Sequence, residues 1–107
     1  MTETSFSEHF QDESTEAIDK EAKATLPAFF VNVILKLSGV ASGGEATVHL
    51  VTPQDIFPIS KQDMTGQQHW FYASGLLLLG AADRIKVTFP NPDNYSWSLL
   101  IRGGATA

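Results

Sequence analysis

Alternation of apolar and polar side chains with a period of two is the feature that most constrains the fold. In residues 29–38, the odd positions from Phe29 to Leu37 are all apolar, while Asn32, Lys36 and Ser38 occupy even positions. β-Branched and aromatic residues prevail in this segment, which favours a strand over a helix. The same alternation returns in residues 45–51, 84–89 and 96–102. These segments are therefore predicted to be strands that bury one face.

Turn residues separate the predicted strands. Gly39 to Gly44 form a flexible turn, so the flanking segments 29–38 and 45–51 are predicted to pair as a hairpin. Pro53 and Pro58 flank a connection that cannot be a central strand, because proline donates no ladder hydrogen bond. The Pro/Asn-rich residues 90–94 mark a further turn.

Two more strands complete the prediction. Residues 69–73 indicate an aromatic strand, and the apolar run Leu76 to Leu79 indicates a buried one. Six or seven short strands with no convincing helix in the body predict an all-β protein, an antiparallel β-sandwich that is jelly-roll-like. A length of 107 residues corresponds to one core.

The negative charge is concentrated at the N-terminus. Residues 1–23 carry seven carboxylates and two lysines, whereas residues 24–107 carry five of each sign. We therefore expect an acidic N-terminal arm at 1–25 and a β-sandwich domain at 26–107. Phe6 and Phe10 are four residues apart, as are Ile18 and Ala22, and together with Ala17 they fall near one face of a helix, which predicts that the arm is partly helical.

Composition excludes several classes of function. The chain has no cysteine, so it has no disulfide framework, thiolate zinc site or cysteine nucleophile. The net charge of −5 argues against direct binding of nucleic acid. The longest apolar runs, among them Leu76 to Leu79, are far shorter than the roughly 20 residues of a membrane helix, so no membrane partner is expected.

No motif for catalysis or cofactor binding is evident. His9, His49 and His69 lie in separate segments without the spacing of a zinc site. Asp83 and Asp93 lack the alternating ligand pattern of a calcium loop. No Gly-x-Ser-x-Gly sequence is present, so we expect no enzyme activity, no bound metal and no cofactor.

The body is unusually poor in charge, and interface cores share this property. Residues 24–107 contain ten charged residues among 84, so their surface must rely on uncharged side chains. Phe6, Phe10 and Ile18 are predicted to anchor the arm on a partner. Phe30 and Ile34 are predicted to make contacts from an outward sheet face.

Aromatic side chains leave a second interpretation open. Trp70 and Tyr72 share one face of a predicted strand, and Phe71 takes the other, so one set must point away from the core. Tyr95 and Trp97 follow downstream. Such residues could form a platform for sugar rings, as in a carbohydrate- or receptor-binding module of a fibre or tail. A cellular adaptor domain is a third interpretation.

The run HWFYASGLLLLGAADRIKVTFPNPDNYSWSLLIRG, residues 69–103, resembles the C-terminal half of small β-sandwich virion proteins of tailed bacteriophages. These proteins decorate capsids or occupy the connector and tail. The resemblance covers about a third of the chain and carries over no catalytic residue. It implies a decoration or cement protein in the virion, assembled in the host cytoplasm in many copies, with capsid or other virion proteins as partners and a homo-oligomeric state. On this interpretation, removing residues 1–23 abolishes assembly and leaves the body folded.

Overall fold

The computed structural model describes residues 5–12, 16–23, 29–75 and 83–104. They form eight strands: β1 (Ser5–Asp12), β2 (Ile18–Lys23), β3 (Phe30–Leu37), β4 (Glu45–Val51), β5 (Ile56–Asp63), β6 (His69–Ser74), β7 (Arg84–Phe89) and β8 (Trp97–Gly104). Sheet A has the order β1-β8-β3-β6 and sheet B the order β2-β7-β4-β5. All neighbouring strands are antiparallel.

This strand order is that of a jelly roll. Two four-stranded sheets pack face to face, and the chain passes between them at most of its connections. The predicted all-β, antiparallel, jelly-roll-like sandwich is therefore confirmed. The alternation within single strands is confirmed as well, because the inward residues of β3, β7 and β8 are almost fully buried. They are Val31, Val33, Leu35, Leu37, Ile85, Val87, Phe89, Trp97, Leu99 and Ile101.

The helical interpretation of the N-terminal segment was wrong for the residues described. Residues 5–12 pair with β8 at the edge of sheet A, and residues 18–23 pair with β7 at the edge of sheet B. Apolar pairs such as Ile18 and Ala22 are four residues apart, a spacing that keeps two side chains together on a strand as well as on a helix. The unpaired edges of β7 and β8 favour the strand, because each offers a row of hydrogen-bonding groups.

The predicted hairpin of β3 and β4 was also wrong, because the two strands lie in opposite sheets. Their connection, residues 38–44, is long enough to cross the roughly 10 Å between sheets. Three hydrogen bonds from two residues of the loop before β8 hold it there. The Tyr95 hydroxyl donates to the Val40 carbonyl at 2.8 Å, and the Asp93 carboxylate accepts from the Ser42 hydroxyl at 2.6 Å and its N–H at 2.8 Å.

The segment between Pro53 and Ser60 was predicted as a connection, and most of it belongs to β5. This strand is an edge strand, so the exclusion of a central strand stands. Its register with β4 shifts between Val48 and His49, opposite the place where Pro58 interrupts the ladder. The predicted strand at Leu76 to Leu79 lies outside the described residues.

Gly44 provides a direct test of the packing beside this loop. Its φ is +99°, and an added Cβ would lie 2.8 Å from the Phe89 ring. We expect Gly44→Ala to lower the free energy of unfolding by about 1–3 kcal/mol, since it combines a left-handed backbone with overpacking. The matched control is Gly43→Ala, where an added Cβ meets nothing within 4 Å. Equal unfolding midpoints of the two variants in urea would contradict this packing.

Candidate assembly face

The outward positions of sheet A form rows across all four strands. His9 of β1 lies opposite Leu100 of β8, Leu100 lies opposite Ile34 of β3, and Ile34 lies opposite Phe71 of β6. Because directly opposed residues in antiparallel strands share a face, these four side chains make one continuous row. We call its three apolar members, Leu100, Ile34 and Phe71, the apolar row.

The apolar row is open to solvent, most of all at the β6 edge. The side chain of Phe71 is 62% exposed and that of Ile34 is 39% exposed, while Leu100 is half-buried between strands. Single exposed apolar residues are common on monomers, but three in register across a sheet form a contiguous strip. Such a strip favours contact with another molecule.

The charged residues that flank the apolar row are cations. Lys36 and Arg102 lie on the outward face of β3 and β8, in the rows on either side of the apolar row. The outward positions of the four described strands of sheet A include no Asp or Glu. The Arg102 guanidinium lies 5.6 Å from the centre of the Phe30 ring, a cation–π distance. A protein with a net charge of −5 thus presents one face that is apolar and locally basic.

The outward face of sheet B carries ion pairs where β2 lies beside β7. Arg84 pairs with Glu21 at 3.0 Å, and Lys86 pairs with Asp19 at 3.3 Å. These pairs join β2 to β7 and are solvated, so each contributes little to stability. Charges of both signs therefore neutralise each other across β2 and β7, and the exposed apolar side chains of sheet B lie at the start of its edge strand β5. Sheet A is better suited to a partner, because its exposed apolar side chains lie in register across three strands.

His49 on sheet B makes stability depend on pH. Burial, and then the nearby charge of Lys86, lower the pKa of this imidazole below its ordinary value of 6.5. Just below pH 6.5 the folded protein therefore binds fewer protons at His49 than the unfolded chain does. The contribution of neutral His49 to the free energy of unfolding is fully present above pH 6.5 and is lost as the pH falls through the folded pKa. We expect the urea midpoint to fall modestly from pH 8 to pH 5 and His49→Gln to flatten this dependence. A midpoint that rises on acidification would contradict the burial of His49.

The five predicted contact residues have different environments. Ile34 lies in the apolar row and remains the best candidate for a partner contact. Phe30 is only 9% exposed, beneath Arg102. Ile18 is 2% exposed and Phe10 packs against the core, so their contacts are made within the chain. Phe6 lies in β1 opposite Gly103, and its side chain is outside the described part of the structure.

The aromatic residues considered for sugar binding mostly face inward. Trp70 is 9% exposed and Trp97 is 4% exposed, and both belong to the core. Tyr72 and Tyr95 are partly buried against the same core. The outward aromatic residue of β6 is Phe71, so the expectation that one set points away from the core is confirmed. The two tryptophans do not form a surface platform.

The sequence left open which aromatic set of β6 faces outward, and it did not identify Phe71 or Leu100 as candidate contact residues. A partial signal was present, since Phe71 alternates with Trp70 and Tyr72, and Leu100 alternates with the inward Leu99 and Ile101. The alternation of residues along a strand separates its two faces but does not show which strands are neighbours. The row appears only once β8 and β3 are seen to pair in register.

The described residues also lack a metal site and a membrane-spanning helix. No group of three or more His, Asp or Glu side chains there could hold a metal ion. The same residues contain no helix of the length and hydropathy needed to cross a membrane.

Comparison with known proteins adds no assignment of function. No protein-family model and no curated protein matches the sequence. Among solved structures, the Eiger TNF of S. frugiperda is 12% identical over 98% of this chain and 96% of its own, with a TM-score of 0.49. PirA is 10% identical over 97% and 95%, with a TM-score of 0.45. The Drosophila NLP-core, described for pentamer formation and histone binding, is 16% identical over 95% and 97%, with a TM-score of 0.43. None of these likenesses bears on activity or assembly.

Proposed function

We propose that this protein is a structural assembly subunit that binds a protein partner through the outward face of sheet A. The proposal assigns it no catalytic role. It acts as a jelly-roll module that attaches to an assembly through the outward face of sheet A.

The observation that carries the proposal is the apolar row with its basic flanks. Burying apolar area provides the driving force for association, and the flanking Lys36 and Arg102 select the partner by charge. Two cations are too few for the phosphate contacts on which nucleic-acid binding depends. The partner surface that fits is therefore proteinaceous, apolar at its centre and acidic at its rim.

In its finer form, the proposal is a bacteriophage virion protein that decorates the capsid or joins the head–tail assembly. The supporting sequence is the resembling run 69–103, which contains β6, β7 and most of β8. It therefore includes Phe71, Leu100 and Arg102, three of the residues on the candidate face. A shell presents its subunits in many copies, so weak single contacts add up through effective concentration.

The test is the protein content of virions from cells that carry the gene. We expect wild-type protein in many copies per particle by quantitative mass spectrometry. The double variant Ile34→Ser/Leu100→Ser should reduce occupancy at least tenfold, because it places hydroxyls in the centre of the contact. A matched control, Ile56→Ser/Phe57→Ser at exposed positions of sheet B, should leave occupancy unchanged. Particles without the wild-type protein would contradict the virion assignment.

The same variants separate binding from folding. Ile34 is 39% exposed and Leu100 half-buried on an outward face, so their replacement leaves the core intact. We expect the circular dichroism spectrum and a cooperative thermal transition to be retained. Full occupancy of particles by the folded double variant would contradict the role of sheet A.

A further inference from the structure

The four edge strands of the sandwich differ in how they are protected against pairing with another chain. Charged side chains, proline and bulges are the usual devices that block such pairing. β2 has four charged residues among six, and β1 contains Glu8 and Asp12. β5 has Pro58 and the register shift opposite β4. β6, His-Trp-Phe-Tyr-Ala-Ser, contains no Asp, Glu, Lys, Arg or Pro.

The hydrogen bonds between β3 and β6 show which backbone groups reach the open edge. The Leu37 N–H donates to the Gln68 carbonyl at 2.9 Å, in the register that continues through Leu35 opposite Trp70. In an antiparallel pair, bonded and non-bonded positions alternate. Trp70 and Tyr72 therefore direct their backbone groups toward β3. His69, Phe71 and Ala73 direct theirs away from it, to an edge on which no described strand lies.

We propose that two copies of this chain associate by antiparallel pairing of β6 with β6, around a two-fold axis at Phe71. In this register Phe71 lies opposite Phe71 of the second copy, and His69 lies opposite Ala73. The backbone groups of all three residues at the open edge are thereby paired. The result is a continuous eight-stranded sheet in which the two apolar rows join at their Phe71 ends.

The second copy fits this edge better than an unrelated strand for two reasons. Two-fold pairing is isologous, so the same uncharged strand satisfies both sides, and no charged side chains of β6 are brought face to face despite the net charge of −5. It also places the most exposed large apolar side chain among the described residues, Phe71, against an identical one.

The area of the candidate face gives a further reason. Four strands about 4.8 Å apart and about six residues long give roughly 400 Å² of flat sheet. A standard protein interface takes about 800 Å² from each partner. Two copies joined at β6 present that area on one surface. Only this step rests on the proposed function, because the contact between the β6 strands does not depend on a partner.

Cysteine cross-linking tests the register, since the natural chain has no cysteine. A hydrogen-bonded pair has Cα atoms about 5.5 Å apart, within the range of a disulfide. We expect Phe71→Cys to form a covalent dimer under mild oxidation, and His69→Cys, whose counterpart is four residues away, to form at least tenfold less. The double variant His69→Cys/Ala73→Cys should cross-link again. Equal cross-linking of the two single variants, or none in Phe71→Cys, would overturn the proposal.

Mass in solution tests the association without a covalent bond. We expect the 107-residue chain to reach twice the monomer mass in light scattering as concentration rises. Ala73→Pro should remain monomeric and folded, because it removes an N–H that faces the open edge and leaves the β3 ladder intact. The control Ala73→Thr should dimerise like wild type. Should Ala73→Pro misfold, Phe71→Lys against Phe71→Leu provides the same comparison at a side chain 62% exposed.

These outcomes distinguish the dimer from the proposed function. A wild-type chain that stays monomeric at every attainable concentration overturns the dimer, and virion occupancy is measured separately. Dimerisation with wild-type strength in Ala73→Pro or Phe71→Lys also overturns pairing through β6. Absence from virions contradicts the function and leaves the cross-linking result standing.

Discussion

Removal of residues 1–23 is expected to abolish cooperative folding of the whole chain. This differs from the expectation for a detachable arm, because β1 and β2 complete the two sheets. The deletion takes Ile18 and Ala22 out of the core and removes every hydrogen bond that these strands make with β7 and β8. It also removes Lys20, whose amine lies 5.9 Å from the ring centres of both Phe10 and Trp97.

The size of the effect follows from single residues. Ile18→Ala alone should lower the free energy of unfolding by about 2–5 kcal/mol, as other large-to-small changes in cores do. The free energy of unfolding of a domain is about 5–15 kcal/mol in total, so the loss of both strands is expected to exceed it. Thermal unfolding followed by circular dichroism measures this. The control is Ala17→Ser, because Ala17 is exposed next to Ile18 and should leave the midpoint unchanged.

A truncated chain that unfolds cooperatively at the wild-type temperature would contradict the pairing of β1 with β8 and of β2 with β7. It would restore the interpretation of residues 1–23 as an arm that serves only assembly.

Asn91→Ala is expected to lower the free energy of unfolding by about 3 kcal/mol, which is a large effect for one residue in a turn. Asn91 is 2% exposed and has a φ of 53°. Its amide donates to the carbonyls of Glu16 at 3.0 Å and Tyr95 at 2.8 Å, and its carbonyl oxygen accepts from the Tyr95 N–H at 3.1 Å. Alanine leaves the partly buried partner groups of Glu16 and Tyr95 unpaired and adopts the left-handed backbone poorly.

Two further variants separate these causes. Asn91→Gly removes the hydrogen bonds and accepts the backbone, so it should recover about 1 kcal/mol of the loss. Asn94→Gly serves as the control, because Asn94 has a similar φ of 55° and is exposed. We expect it to change stability by less than about 1 kcal/mol. Equal urea midpoints for Asn91→Ala and wild type would show that the side chain does not support the turn.

Sequence reasoning succeeded where the information is local. The alternation around Val33, Val87 and Leu99 identifies strands and their buried faces because side chains of successive residues point to opposite sides. It failed where two periods coincide, since a spacing of four residues at Ile18 and Ala22 fits both helix and strand. The neighbours of that segment, which lie more than 60 residues away in β7, decided the outcome.

The candidate face was predictable only in part. Ile34 was identified because it alternates with buried residues of a strand whose pattern is clear. Its neighbours on the face come from β6 and β8, and the sequence alone placed β3 beside β4 instead. Which strands share a sheet depends on long-range pairing and on whether a loop such as 38–44 turns back or crosses over. Neither property is encoded in the period of one strand.

Photo-cross-linking in intact particles tests the central claim most directly. A photoreactive phenylalanine derivative replaces Asn32 on the outward face of sheet A or, as the control, Lys61 on sheet B. We predict that position 32 cross-links to a different virion protein and that position 61 does not. Cross-links to a virion protein from position 61 alone would contradict the assignment of sheet A as the assembly face.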